Sequence, residues 1–335
     1  MTHELPAPAG SPPYRLRLDE VLAPAALRAV ERAGVLRFHC VGDTGGFHNP
    51  IPQRAVAAAM ATELDGEAAV SFFYHLGDIV YLNGERANYG AQFFDAYESY
   101  DAPIVAVAGN HDGDLPADSD ATPLEAFTEQ FCSGERRPWH PPGRARQRQP
   151  NVFWTLEHEW VTIIGLYTGV PEGGTLGREQ LGWLVGELRD ARRAVTLILA
   201  MHHPVFSVDR VHGSNLDLRD ALDRCFAEAG RVPDAVFSAH AHNYQRYSRA
   251  HAGRLIPYVV AGGGGFPELH GLGYGVPDLP ASFAGLPDVM LETYQHQAFG
   301  FMTVSCNPDG ATVAYNTVVR RRPVLFDSFM VSPAS

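Results

Sequence analysis

Five short apolar runs in this sequence each end in a cluster of Asp, Asn, Tyr or His. That recurrence restricts the possible folds more than any other feature. "VLRFHCV" (35–41) runs into "GDTGG", "AVSFFYHL" (69–76) into "GDIVY", "PIVAVAG" (103–109) into "GNHD", "VTLILAM" (195–201) into "HHP", and "DAVFSA" (234–239) into "HAH". Runs of this length and apolar density read as buried strands. "IPQRAVAAAMATEL", "GREQLGWLVGELRDA" and "NLDLRDALDRCFAEAG" space Leu, Ala and Trp at helical intervals, and the alternation is that of an α/β fold. In open α/β sheets ligands bind beyond the carboxyl ends of the strands. The runs therefore deliver Asp43, Asp78, Tyr81, Asn110, His111, Asp112, His202, His203, His240 and His242 to one edge.

After residue 254 the pattern changes to strand-like pieces separated by Gly and Pro, with "NPDG" at 307–310 reading as a hairpin turn. Residues 1–14, rich in Pro and Ala, read as a flexible arm. Residues 15–335 read as one domain whose second half completes a second sheet. The chain of 335 residues, 45% hydrophobic and 19% charged, has enough apolar sequence for a full core. A formal charge of −12 leaves no basic footprint for nucleic acid or an anionic membrane. Cys40, Cys132, Cys225 and Cys306 lie far apart with no CxxC pair, so reduced, buried thiols are expected rather than a thiolate zinc site or a disulfide framework. No signal peptide or transmembrane run is visible, which reads as a soluble, cytoplasmic protein.

Each block alone has an ordinary reading. A GD after a strand is commonly a turn with an Asp cap, "GNHD" a polar loop, and Tyr81 a core tyrosine packing by its ring. "HAH" is stronger, because alternate residues of an extended strand point the same way. Together the blocks offer carboxylate oxygen, amide oxygen and imidazole nitrogen without lysine. Such donors suit a pair of first-row metal ions bridged by a carboxylate.

In this order "GDTG", "GDIVY", "GNHD", "MHHP" and "AHAH" resemble the five blocks of the calcineurin-like metallophosphoesterases. Tyr81, together with Gly45 where a His two residues after Asp43 is absent, resembles the purple acid phosphatase branch, as do "GREQLGWLVGEL" and "NYQRYS". The resemblance implies a four-layer α/β/β/α sandwich: two mixed sheets face to face, helices outside, metals at one edge. It implies Fe(III) on Asp43, Asp78, Tyr81 and His242, with Asp78 bridging to Fe(II), Zn(II) or Mn(II) on Asn110, His202 and His240. A phenol has a pKa near 10, so it serves only a strong Lewis acid such as Fe(III). His111 would contact phosphate or protonate the leaving oxygen, with Asp112 orienting it. The family's ligand stands two residues before the proline of "HHP", which favours His202 and leaves His203 a supporting or substrate-contacting role.

The implied activity is hydrolysis of a small phosphate ester by in-line attack of a metal-bound hydroxide, with phosphomonoesters the leading substrate class. A phosphodiesterase, acting on a cyclic nucleotide or another diester, is the alternative. A metal-dead binding scaffold is a third reading, and the filled ligand blocks argue against it. Ala239 stands where the family usually has Gly, His48 has no family counterpart and reads as a surface residue, and the basic run with Arg144, Arg146 and Arg148 reads as a solvated loop.

Overall fold

The computed structural model describes residues 5–66, 69–117, 119–133, 148–169, 174–273, 278–283 and 285–334. Two mixed β-sheets, flanked by helices, form the four-layer sandwich. Across the six-stranded sheet the order is Arg322–Val331, Gly310–Val319, Gly300–Asn307, Leu36–Val41, Phe72–His75 and Ile104–Ala106. Across the nine-stranded sheet it is Arg15–Arg17, Trp154–Glu157, Val161–Gly165, Thr196–Ala200, Ala235–Ser238, Arg254–Ala261, Tyr244–His251, Leu286–Gln295 and Ala281–Phe283.

Side-chain alternation along the strands builds the layers. In the nine-stranded sheet Ile163, Ile198, Phe237 and Val259 join the core shared with Phe38, Phe72 and Val105 of the other sheet. Their neighbours Ile164, Leu197, Leu199, Val236 and Val260 instead meet Leu184, Leu188, Leu222 and Phe226 of the helices Arg178–Asp190 and Leu216–Ala229. Full burial stabilises each such side chain by about 1.5–3 kcal/mol. Asn215 starts the second helix by accepting from Leu218 N (2.9 Å), and Gly230 ends it at φ 65. On the opposite outer face the helix Ile51–Ala61 buries Val56, Ala57, Ala59 and Met60 against the strands 300–331.

The second half of the chain completes the second, nine-stranded sheet as expected, but its last three strands do not belong there: Gly300–Asn307 pairs antiparallel with Leu36–Val41 and extends the sheet begun by the N-terminal strands. Residues 154–165 and 196–261 supply most of the other sheet. The apolar edge of Leu36–Val41 needs a cover, and the 300–319 hairpin provides it. That hairpin turns through Pro308 and Asp309 with Asn307 opposite Gly310, as "NPDG" suggests. The four cysteines are free and buried. Among the described residues no helix is long and apolar enough to cross a membrane. Gly10 N donates to Pro150 O (2.8 Å) and Trp183 Nε1 to Pro13 O (2.6 Å). Arg144 and Arg146 lie outside the described residues, and Arg148 is exposed.

Candidate metal centre

Parallel strands from both sheets end at the same rim. Leu36–Val41, Phe72–His75 and Ile104–Ala106 lead to Asp43, Asp78 and Asn110, while Thr196–Ala200 and Ala235–Ser238 lead to His202, His240 and His242. Backbone bonds tie the loops together: Asp43 N to Gly77 O (3.0 Å), Thr44 N to Asp78 O (3.1 Å) and Ala239 N to His202 O (2.8 Å). Asp43, Asp78 and His240 adopt left-handed φ values of 56, 54 and 66. Such residues cost of order 1–3 kcal/mol each and collect at functional sites. Ala239 itself stays outside the left-handed region, so the usual glycine is not required there.

Asp78, His202 and His240 form a group able to hold a metal ion, with ligand atoms all within 4.8 Å of one another. His202 Nε2 lies 3.2 Å from Asp78 Oδ2 and 3.2 Å from His240 Nδ1. Asn110, whose neighbour His111 donates its backbone N–H to Asp78 Oδ1 (3.0 Å), is buried, and its Oδ1 has no hydrogen-bond partner. Leaving a buried acceptor unpaired costs about 1–3 kcal/mol, which coordination of a cation would offset. On the other side Tyr81 donates its hydroxyl to Asp43 Oδ1 (3.1 Å). His242 Nε2 lies 3.4 Å from the Tyr81 oxygen and 3.5 Å from Asp43 Oδ1. Carbonyl oxygens fix two tautomers: Nδ1 of His202 donates to Leu76 O (2.9 Å) and Nδ1 of His242 to Glu268 O (3.0 Å). In the neutral rings each Nε2 then carries a lone pair, as a metal ligand must.

The electrostatics favour positive charge here. Burial opposes charge on His202 and His242, yet Asp78 and Asp43 respectively outweigh it and raise both imidazoles. Burial and the neighbouring imidazoles keep His240 neutral. Burial, reinforced by Asp43 and Asp78, pushes the Tyr81 phenol well above its ordinary value.

His111 Nδ1 donates to Leu82 O (2.8 Å) and its ring lies 4.6 Å from that of Tyr81. Asp112 does not touch that imidazole. Its carboxylate accepts from the backbone N–H of Ile79 (3.0 Å) and Gly109 (2.8 Å), so it braces the loop around Asp78, and Leu82 O orients His111 instead. His203 is buried. Thr168 Oγ1 accepts from His203 N (3.1 Å) and is hydrogen-bonded to its Nδ1 (2.8 Å), while Nε2 is buried without a hydrogen-bond partner. Burial lowers this imidazole to about 3, so it stays neutral. His48 is exposed. A Cβ on residue 45 would lie 2.5 Å from Cδ2 of Tyr81, so Gly45 makes room for that ring. Two residues escaped the sequence reading: the ring of His212 is 4.0 Å from His240 and that of His270 is 4.2 Å from His242. Each is a single loop histidine outside the strand-end blocks, and no spacing marks it.

Buried carboxylates and inward-facing imidazoles thus meet at one rim of a two-sheet sandwich with the metallophosphoesterase fold. The calcineurin-like phosphoesterase family model matches residues 36–244, and the chain belongs to that family. It is similar to purple acid phosphatase 15 of Arabidopsis thaliana, with 25% identity over 55% of this chain and 33% of the relative. Purple acid phosphatase 18 of the same plant is 25% identical over 71% of this chain and 57% of its own length. The chain thus spans from a third to under three fifths of these two relatives. Among solved structures, purple acid phosphatase PPD1 from yellow lupin seeds (Lupinus luteus) superposes with a TM-score of 0.66 at 19% identity, covering 89% of this chain and 54% of that one. GAP50, the anchor in the inner membrane complex of Plasmodium, gives 0.64 at 14% identity over 90% of each chain. These two likenesses show the fold; function has to be argued from the site.

Proposed function

We propose that this chain is a di-metal phosphoric ester hydrolase acting on small phosphomonoesters. The observation that carries the reading is the pair of adjoining donor groups. Asp43, Tyr81 and His242 place three donors 3.1, 3.4 and 3.5 Å apart. That spacing is about what ligands at 2.0–2.2 Å from one ion require. Asp78, His202, His240 and the unpartnered Asn110 oxygen make the second group, and Asp78 would be shared. The phenol of Tyr81 favours Fe(III) on its side, with Fe(II), Zn(II) or Mn(II) on the other. When bound, the two ions would polarise the phosphoryl group and supply the nucleophile from water.

The chain's own residues would do the rest. His111, held through Nδ1 by Leu82 O, keeps Nε2 for a phosphate oxygen or the leaving oxygen. His203 presents its unpartnered Nε2. A cavity of about 410 Å³ lined by His203, Pro204, His212, Leu216, Asp217 and His240, among others, provides room for the leaving alcohol. Residues 15–335 would act as one domain, since strands from both halves contribute to each sheet. The test is a panel of mono- and diesters offered to protein loaded with iron and zinc. Preference for monoesters is expected. Turnover of diesters alone would reassign the substrate class, and no turnover of either would remove the reading.

A further inference from the structure

Asp209 lies outside the five polar blocks, yet its buried carboxylate holds much of the site's surroundings. Oδ1 accepts from the backbone N–H of Val211 (2.7 Å) and of His212 (2.8 Å), and Oδ2 accepts from Asn243 Nδ2 (2.7 Å). Nδ1 of His270 is 3.4 Å from Oδ1. Asn243 directly follows His242, and its Nδ2 also donates to His270 O (3.1 Å). Further bonds run from Arg210 N to Gly271 O (3.1 Å), Gly273 N to Val208 O (2.7 Å) and His270 N to His242 O (2.9 Å). The 207–212 turn, the 270–273 segment and the chain after His242 are therefore one hydrogen-bonded unit around Asp209.

That unit places two imidazoles. His212 lies against His240 (4.0 Å between ring centres), His270 stacks on His242 (4.2 Å, 24°), and the two are 5.3 Å apart. His240 and His242 belong to different donor groups, so one of the two rings flanks each group. A short polar side chain would suffice to cap a turn. A buried carboxylate is costly unless its oxygens are filled, and here donors from two chain segments fill them, with His270 Nδ1 close by at 3.4 Å.

We infer that Asp209 is a positioning residue that fixes His212 and His270 against His240 and His242, so that both rings keep their places at the phosphate-ester site. This rests on the function proposed above for its catalytic consequence, and on geometry alone for its structural one. The test uses the full chain loaded with iron and zinc and an aryl phosphate monoester. Asp209→Ala should lower kcat/KM by about 10–100-fold, the range for losing a group that orients a functional imidazole, with metal content unchanged. In a background already carrying His212→Ala and His270→Ala, the same substitution should cost less than about twofold, because coupled residues are not additive. An equal loss in both backgrounds would overturn the inference. Asp209→Asn, which keeps an acceptor for the two turn amides, should fall between wild type and Asp209→Ala, and it guards against a folding failure.

Amide exchange across residues 207–214 gives a readout independent of catalysis. Asp209→Ala should speed exchange at Val211 and His212 by roughly fivefold or more, the effect of losing hydrogen bonds worth about 1 kcal/mol. Unchanged exchange contradicts the inference even in an active enzyme. If wild type hydrolyses no phosphate ester, the proposed function fails by itself, and the exchange result alone decides for or against Asp209.

Discussion

The hydroxyl of Tyr81 donates to Asp43 Oδ1 in a site where burial and two carboxylates resist its ionisation. Only a strongly polarising ion would displace that proton, so protein reconstituted with iron in air should show a visible charge-transfer band. Tyr81→Phe keeps the ring packed over the space left by Gly45 and deletes the oxygen. It should abolish the band while leaving the fold intact, and an absorption spectrum that is unchanged would reduce Tyr81 to packing. His111 makes a different case, because its Nδ1 is spent on Leu82 O and no donor group includes it. His111→Ala should leave metal content near wild type and lower turnover by about 10²–10⁴-fold, the range for a general acid–base group. Loss of metal in that variant would make His111 a ligand. The strand-end position of these residues was legible in the sequence. The partner of His111 was not, because Asp112 is adjacent in sequence but turns to the amides of Ile79 and Gly109.

At the scale of elements, the loop after each parallel strand is short and its packing admits little change. A Cβ on Gly109 would sit 2.0 Å from Asp78 Oδ1 and 2.4 Å from Asp78 N. Gly109→Ala should therefore push the Asp78 loop out of place, destabilise the chain by about 1–3 kcal/mol as overpacking does, and deplete bound metal. Gly182, at an exposed position of the helix Arg178–Asp190, meets nothing within 4 Å, and Gly182→Ala should stabilise by about 0.5–1 kcal/mol. Thermal melts of the two variants check the contrast, and equal shifts would show that space at position 109 is not limiting. The helices 51–61, 178–190 and 216–229 and the five strands were readable because apolar spacing is a local signal. Tyr244–His251 was not, since its Gln, Arg and Ser interrupt the apolar pattern and its pairing with Arg254–Ala261 and Leu286–Gln295 supplies what the sequence lacks. Asp209, His212 and His270 were hidden for the same reason: only the folded chain brings their loops together.

For the whole molecule, the site exists because two sheets end at one rim. The six-stranded sheet contributes the carboxylates and Asn110, the nine-stranded sheet the imidazoles, and neither sheet holds a complete donor group. The division explains why the five blocks are spread over residues 43–242, and why the family model, at 36–244, matches that whole stretch. It also explains why the membership of each sheet could not be read from order along the chain: the last strands return to the first sheet. The central claim, that the rim binds a metal pair bridged by Asp78, is tested most directly by elemental analysis of protein purified with iron, zinc and manganese supplied. Wild type should carry close to two ions per chain, Asn110→Ala should lose mainly the divalent one, and Asp78→Asn should lose affinity at both positions. A wild type holding no metal, or an Asp78→Asn variant that keeps both ions as firmly as wild type, would contradict it.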